Sequence, residues 1–238
     1  MQINTQIMKF RIILLLLVIA SISKAQDNYM ALSFGIGNPL GDYAKTESLA
    51  NHGYALKGFM IDYSGAYYLT KYLGIGGSIL FNQNTLEKGI IREQLIDLLP
   101  EGAIDSITNA NLGFWSIVSF GIGPQFTLPI GKLNIDAYFF PGINITTHPK
   151  LELTAVIDNE PYSTYISSQK VRFGIETGIA FRFALGETTG IRIFTSYLRT
   201  TAKGEVIHIE NQSGQPTEID FSKTIHILNA GIGLVYKL

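Results

Sequence analysis

Alternation with a period of two runs along most of this chain, and it is clearest between Val171 and Leu185. One set of positions there is apolar: Val171, Phe173, Ile175, Ile179, Phe181, Phe183 and Leu185, with Thr177 the single hydroxyl. The other set reads Arg172, Gly174, Glu176, Gly178, Ala180, Arg182 and Ala184. Successive strand side chains point to opposite faces, so the stretch predicts a long strand with one lipid-like face. Its second face places charges among very small residues, which suits a narrow, crowded, polar interior.

The same pattern recurs in eight segments: Tyr29 to Asn38, Tyr54 to Leu69, Leu73 to Asn82, Leu112 to Leu128, Leu133 to Thr146, Val171 to Leu185, Ile191 to Thr201 and Thr224 to Leu238. Together they predict an all-β chain, an eight-stranded antiparallel up-and-down transmembrane β-barrel. The connections through Thr70 to Tyr72, Pro129 to Lys132 and Gly186 to Gly190 are short, and the others are long. Barrels of this kind keep short turns periplasmic and long loops extracellular, which puts both termini on the periplasmic side. Within the connection from Thr85 to Asn111, Leu86, Ile90, Ile91, Leu95, Leu98 and Leu99 alternate with charges, predicting a short amphipathic helix that ends before Pro100 and packs on the rim. Two further connections read as hairpins that lengthen the barrel strands: Leu151 to Ile157 with Tyr162 to Ser168, and Glu205 to Glu210 with Thr217 to Phe221.

The amino end adds a compartment. Lys9 and Arg11 precede an unbroken apolar run from Ile12 to Ala20, and Ser23-Lys24-Ala25 fits the small-x-small cleavage rule. Residues 1–25 are therefore expected to be a signal peptide cleaved after Ala25, and residues 26–238 a single outer-membrane barrel domain. The run is about half the roughly 20 residues a membrane-spanning helix needs. With no cysteine in the chain, a lipid anchor on cysteine and disulfide staples are both excluded. A formal net charge of −1 offers no electrostatic case for nucleic acid. The 24 glycines suit a crowded lumen and tight turns, and the 14 Phe and 12 Tyr suit interfacial girdles.

Strand parity turns one set of charges inward: Asp62, Asp136, Arg172, Glu176, Arg182, Arg192 and Lys237. Unpaired charges cost several kcal/mol in a narrow interior, so the set is expected to form a salt-bridge network that plugs the lumen. On that reading, Glu176→Gln lowers barrel stability without creating conductance. Catalytic signatures are missing. A barrel lipid deacylase needs a serine two positions from a histidine on one strand face, but the positions two after His52, His148, His208 and His226 are Tyr54, Lys150, Glu210 and Leu228. A helical HExxH, a cysteine cluster and an acidic calcium loop are likewise missing, so no metal or cofactor is expected.

Four stretches carry a family resemblance: Ser23-Lys24-Ala25 before Gln26, FGIGNPLGDY from Phe34, YYLTKYLGIGG from Tyr67, and the closing AGIGLVYKL from Ala230. In these strand and turn patterns the chain resembles the small PorT-like outer-membrane β-barrels of Bacteroidota. The resemblance implies an outer-membrane location, insertion by the barrel assembly machinery, and no assigned activity. One departure is the last residue, Leu238, where such barrels usually end on an aromatic. The expectation is a monomeric, non-enzymatic barrel in contact with outer-membrane lipid, acting structurally, through its extracellular loops, or with an envelope protein partner. Two alternatives stand beside it: a lipid-modifying outer-membrane enzyme, and a soluble periplasmic lipocalin-like carrier with the apolar faces turned inward.

Overall fold

The computed structural model describes residues 27–47, 52–96, 107–149, 151–157, 160–166, 169–204, 208–210 and 221–238. The expected signal segment, residues 1–25, lies outside them. Eight long strands form the wall: β1 (Tyr29–Leu40), β2 (Ala55–Tyr68), β3 (Leu73–Leu86), β5 (Trp115–Ile130), β6 (Leu133–Thr147), β9 (Gln169–Ala184), β10 (Thr189–Gly204) and β12 (Phe221–Lys237). They pair antiparallel in the order β1-β12-β10-β9-β6-β5-β3-β2 and close, β1 against β2, into an eight-stranded up-and-down barrel. Parity places the side chains as the alternation predicts. Leu32, Phe34, Ile122, Phe173 and Leu234 stand exposed on the outside, whereas Asp62, Asp136, Glu176, Arg182 and Arg192 are buried inside. The lipocalin-like alternative required the opposite arrangement and is overturned by this burial. No helix among the described residues is long and apolar enough to cross a membrane; the apolar belt belongs to the strands.

Tight turns close one end of the barrel. Between β5 and β6 only Gly131 and Lys132 intervene, and Gly131 takes φ 62°, the conformation that matches a two-residue hairpin to strand twist. After β2, the backbone of Leu69 donates to Leu73 O at 2.9 Å, and Thr70 Oγ1 accepts from the amides of Tyr72 and Leu73.

At the loop end the structure departs from the expected boundaries. Leu112 does not open a wall strand; it ends β4 (Ile107–Leu112), and the wall resumes at Trp115. The predicted first hairpin forms, as β7 (Leu151–Ile157) with β8 (Glu160–Ile166). Instead of lengthening the barrel, it pairs with β4 on one side and β11 (His208–Glu210) on the other, giving a second sheet of order β11-β8-β7-β4. β11 is thus the partner of β8. The return strand expected over Thr217 to Phe221 lies outside the described residues as far as residue 220, and Phe221 begins β12.

The amphipathic helix forms as α1 (Lys88–Ile96) and packs on the rim. Ile91 is buried in a cluster with Tyr43, Tyr54, Leu86 and Trp115, and Ile90 packs against it. Gln94 ties the helix down: its Nε2 donates to Thr46 O at 2.9 Å, and its Oε1 accepts from Tyr54 Oη. Tyr54 itself holds φ 54° without being glycine, a strained position. It persists because both backbone groups are used, the amide donating to Lys45 O and the carbonyl accepting from Glu87 N.

Candidate functional site in the barrel lumen

Small inward residues on some strands make room for large ones on others. A Cβ on Gly178 would stand 2.5 Å from Tyr138 Oη, and one on Gly76 would stand 2.7 Å from the Phe140 ring. Tyr138 and Phe140 stack at 4.7 Å between ring centroids and fill the middle of the lumen. Towards the loop end, Leu80, Ile117, Leu198, Ile225 and Ile227 are fully buried and form an apolar plug. A second apolar cluster of Tyr29, Ala31, Ala66, Tyr68 and Val235 lies towards the turns.

Among the described residues, the lumen holds the ion pairs Arg182–Asp136 and Arg192–Asp62. Arg182 on β9 reaches Asp136 on the neighbouring β6, with Nε donating to Oδ2 at 2.6 Å and Nη2 to Oδ1 at 2.9 Å. The same Nη2 donates to Tyr68 Oη at 2.7 Å, and Gln125 Nε2 also donates to that oxygen, at 2.9 Å. With its acceptor sites so occupied, Tyr68 gives its proton to Thr127 Oγ1 at 2.7 Å, and Thr127 donates to Asp136 Oδ1 at 2.6 Å. The ring Arg182, Tyr68, Thr127, Asp136 therefore closes on itself, each bond polarising the next. The guanidinium also lies 3.8 Å from the centre of the Tyr29 ring, a cation–π contact.

The second pair crosses the barrel. Arg192 Nη1 on β10 donates to Asp62 Oδ2 on β2 at 2.5 Å and to Ser33 Oγ on β1 at 3.3 Å. Ser64 Oγ donates to the same Asp62 oxygen at 2.9 Å, and the guanidinium lies 4.1 Å from the Phe194 ring centre. Asp62 is 1% exposed and Arg192 2%, so neither charge has bulk water to turn to.

The remaining residues of the predicted set are placed otherwise. Glu176 is fully enclosed, but its partner is a hydroxyl: Ser78 Oγ donates to Oε2 at 2.6 Å across the lumen. Arg172 is half-buried near the loop end, opposite Asn144 in register, and its Nε makes no hydrogen bond. Lys237 sits at the turn end and pairs with Asp27 at 3.6 Å. The structure thus brings together Asp62 with Arg192 and Asp136 with Arg182, while Glu176, Arg172 and Lys237 form no ion pair with them. The expected loss of stability in Glu176→Gln is therefore small. An amide keeps an oxygen for Ser78 and removes a like charge near Asp62, so the expected loss is only about 1 kcal/mol. Urea titration of the variant in lipid vesicles checks this.

Above the plug, Trp115 fastens the rim. Its Nε1 donates to Gly53 O at 2.8 Å, its ring meets Tyr43 edge-on at 5.4 Å, and His148 lies 4.3 Å away. Parity alone turns Trp115 inward, but no local pattern marks it as the fastening of this cap. Burial, reinforced by the charge of Lys223, pushes the His148 imidazole down to about 3. Its unfolded value is about 6.5, so the cap has its full stability above about 6.5 and loses it as pH falls towards 3, where His148 must take up a proton. Trp115 fluorescence is expected to report this as a transition between those limits, and His148→Phe is expected to flatten it.

No three His, Asp or Glu side chains among the described residues are grouped to hold a metal ion. No protein-family model matches the chain, and no curated protein matches it by sequence. Among solved structures it is similar to the outer membrane protein OprG from Pseudomonas aeruginosa, with a TM-score of 0.50 and 14% identity over 91% of this chain and 97% of that one. A major outer membrane protein from Thermus thermophilus gives a TM-score of 0.47 at 13% identity, over 90% of this chain and all of that one. The OprG likeness is one of fold, the closed antiparallel barrel described above.

Proposed function

We propose that this chain is a non-enzymatic integral outer-membrane protein with a closed lumen. It acts structurally, through the four-stranded sheet built from its long connections, or as part of an envelope complex. The observation that carries this reading is the filled lumen: buried ion pairs held between two apolar clusters, inside a wall whose outer face is apolar. An eight-stranded barrel is just wide enough for its own side chains, and here they leave the middle occupied.

The strand and turn motifs support membership of the PorT-like barrels of Bacteroidota, and the OprG likeness supports the architecture. Export follows from residues 1–25 with cleavage after Ala25, and the barrel assembly machinery inserts the mature chain as a monomer. Short turns then face the periplasm and the second sheet faces outward. Reconstitution in planar bilayers tests the closed lumen. The expected record stays at the lipid background, and a large steady conductance would overturn the assignment. Detergent-dependent recovery from the membrane fraction tests location; release into the soluble periplasm without detergent would sink the membrane reading.

A further inference from the structure

Gly65 on β2 and Gly77 on β3 are register partners, and both occupy outward positions of the wall. Their neighbours on the same face, Tyr63, Tyr67, Ile75 and Ile79, stand between 46% and 63% exposed. Across the adjoining strands, Met30 pairs with Gly65 and Ile122 with Gly77. With two side chains missing among large ones, the wall is hollowed over a volume of about 430 Å³ that reaches Tyr63 and Ile79. A second hollow of about 470 Å³ shares Met30, Gly65, Gly77 and Ile122 with the first and continues to Asn28 and Leu238 at the turn end. The two form one groove.

We propose that this groove seats one acyl chain of a phospholipid from the leaflet at the turn end. Its length fits. Tyr63 to Tyr67 covers four strand steps, about 13 Å, close to the roughly 15 Å that is half a hydrocarbon core. Its lining is mostly apolar, with Met30, Ile75, Ile79, Phe120 and Ile122 along its length and Asn28 at the turn end. Tyr63 Oη is turned onto Met30 Sδ at 2.8 Å, so the wall offers an incoming methylene chain no competing donor. A second barrel fits less well: its own wall is convex, whereas the hollow at Gly65 and Gly77 is recessed between the projecting side chains of Tyr63, Tyr67, Ile75 and Ile79. The groove is also continuous with the apolar belt that lipid covers.

The inference rests on the chain standing in a bilayer, which membrane fractionation tests separately. Native mass spectrometry of the full chain, released from nanodiscs of phosphatidylglycerol and phosphatidylethanolamine, reads it directly. The wild type is expected to retain one phospholipid, and Gly77→Leu, which fills the groove, to lower retention about tenfold. A Cβ at Gly77 would meet Gly121 O at 3.0 Å, so Ile79→Trp, which covers the groove from its flank, provides a second variant. Heat-shifted gel mobility establishes that each variant folds. No retained lipid in the wild type, or equal retention in all three proteins, would overturn the proposal. A wild-type dimer that disappears in Gly77→Leu would give the groove to a second copy and overturn it as well.

Discussion

Asp62→Ala is expected to destabilise the barrel by about 3–5 kcal/mol, because it strands Arg192 as a buried, uncompensated cation. Arg192 is 2% exposed and its Nε already makes no hydrogen bond, so among the described residues, without Asp62, it keeps the long hydrogen bond to Ser33. The pair also crosses the lumen from β2 to β10, so its loss is felt by strands that are not neighbours. Urea unfolding in lipid vesicles measures the cost. The double variant Asp62→Leu with Arg192→Met removes both charges and is expected to recover most of it, since a buried pair replaced by apolar groups is often neutral. A single variant within about 1 kcal/mol of the wild type would show that water reaches Arg192 and that the lumen is wetter than its packing.

Trp115→Ala is expected to cost about 3–5 kcal/mol, in a different place. Trp115 is 1% exposed and joins three separate parts of the rim: the Gly53 carbonyl, Tyr43 beyond β1, and His148 beyond β6. Removing it leaves a cavity beside Tyr43, Gly53 and Ile91, while the ion pairs nearer the turns keep their contacts. The loss is therefore expected as local opening: faster protease cleavage between Ala44 and Gly53, with the gel mobility of the closed barrel retained. Trp115→Phe, which fills much of the space without the indole donor, is expected to restore part of the protection. If the whole barrel melted with the cap, the rim and wall would be one cooperative unit.

The wall was legible in the sequence because a period of two leaves little choice once one face is apolar: a slip of one residue would turn Arg182 and Arg192 into lipid. Partner choice inside the lumen was not legible. Which inward side chains meet depends on strand stagger and on which strands face each other across the lumen, and alternation encodes neither. Asp136 and Arg182 meet because their strands adjoin; Asp62 and Arg192 meet only because the barrel is narrow enough for one guanidinium to cross. Glu176 shows the same limit, since its partner Ser78 lies 98 residues away in the chain. Arg172 and Lys237 share the inward parity but sit near opposite ends of the lumen, where water or a residue outside the wall strands such as Asp27 is within reach. At the loop end, Leu112 looked like a wall residue because Leu112 and Phe114 share the parity of Val118 and Phe120 in β5. Pairing of β4 with β7 across the break is a tertiary choice, invisible in local pattern.

The seam between β1 and β12 joins Tyr29 to Lys237, the first wall strand to the last. Every other pairing in the wall has a shorter loop to close, and the three tight hairpins have almost none. Closing the longest loop has the highest chain-entropy cost and comes latest when contacts form in order of separation. Until then the assembling sheet has two bare edges whose amides and carbonyls are unpaired, an arrangement that hydrocarbon does not tolerate. The barrel is therefore expected to enter the bilayer only as this seam zips, and substitutions along it, such as Phe34→Pro, are expected to slow insertion far more than equal damage within the β5–β6 hairpin.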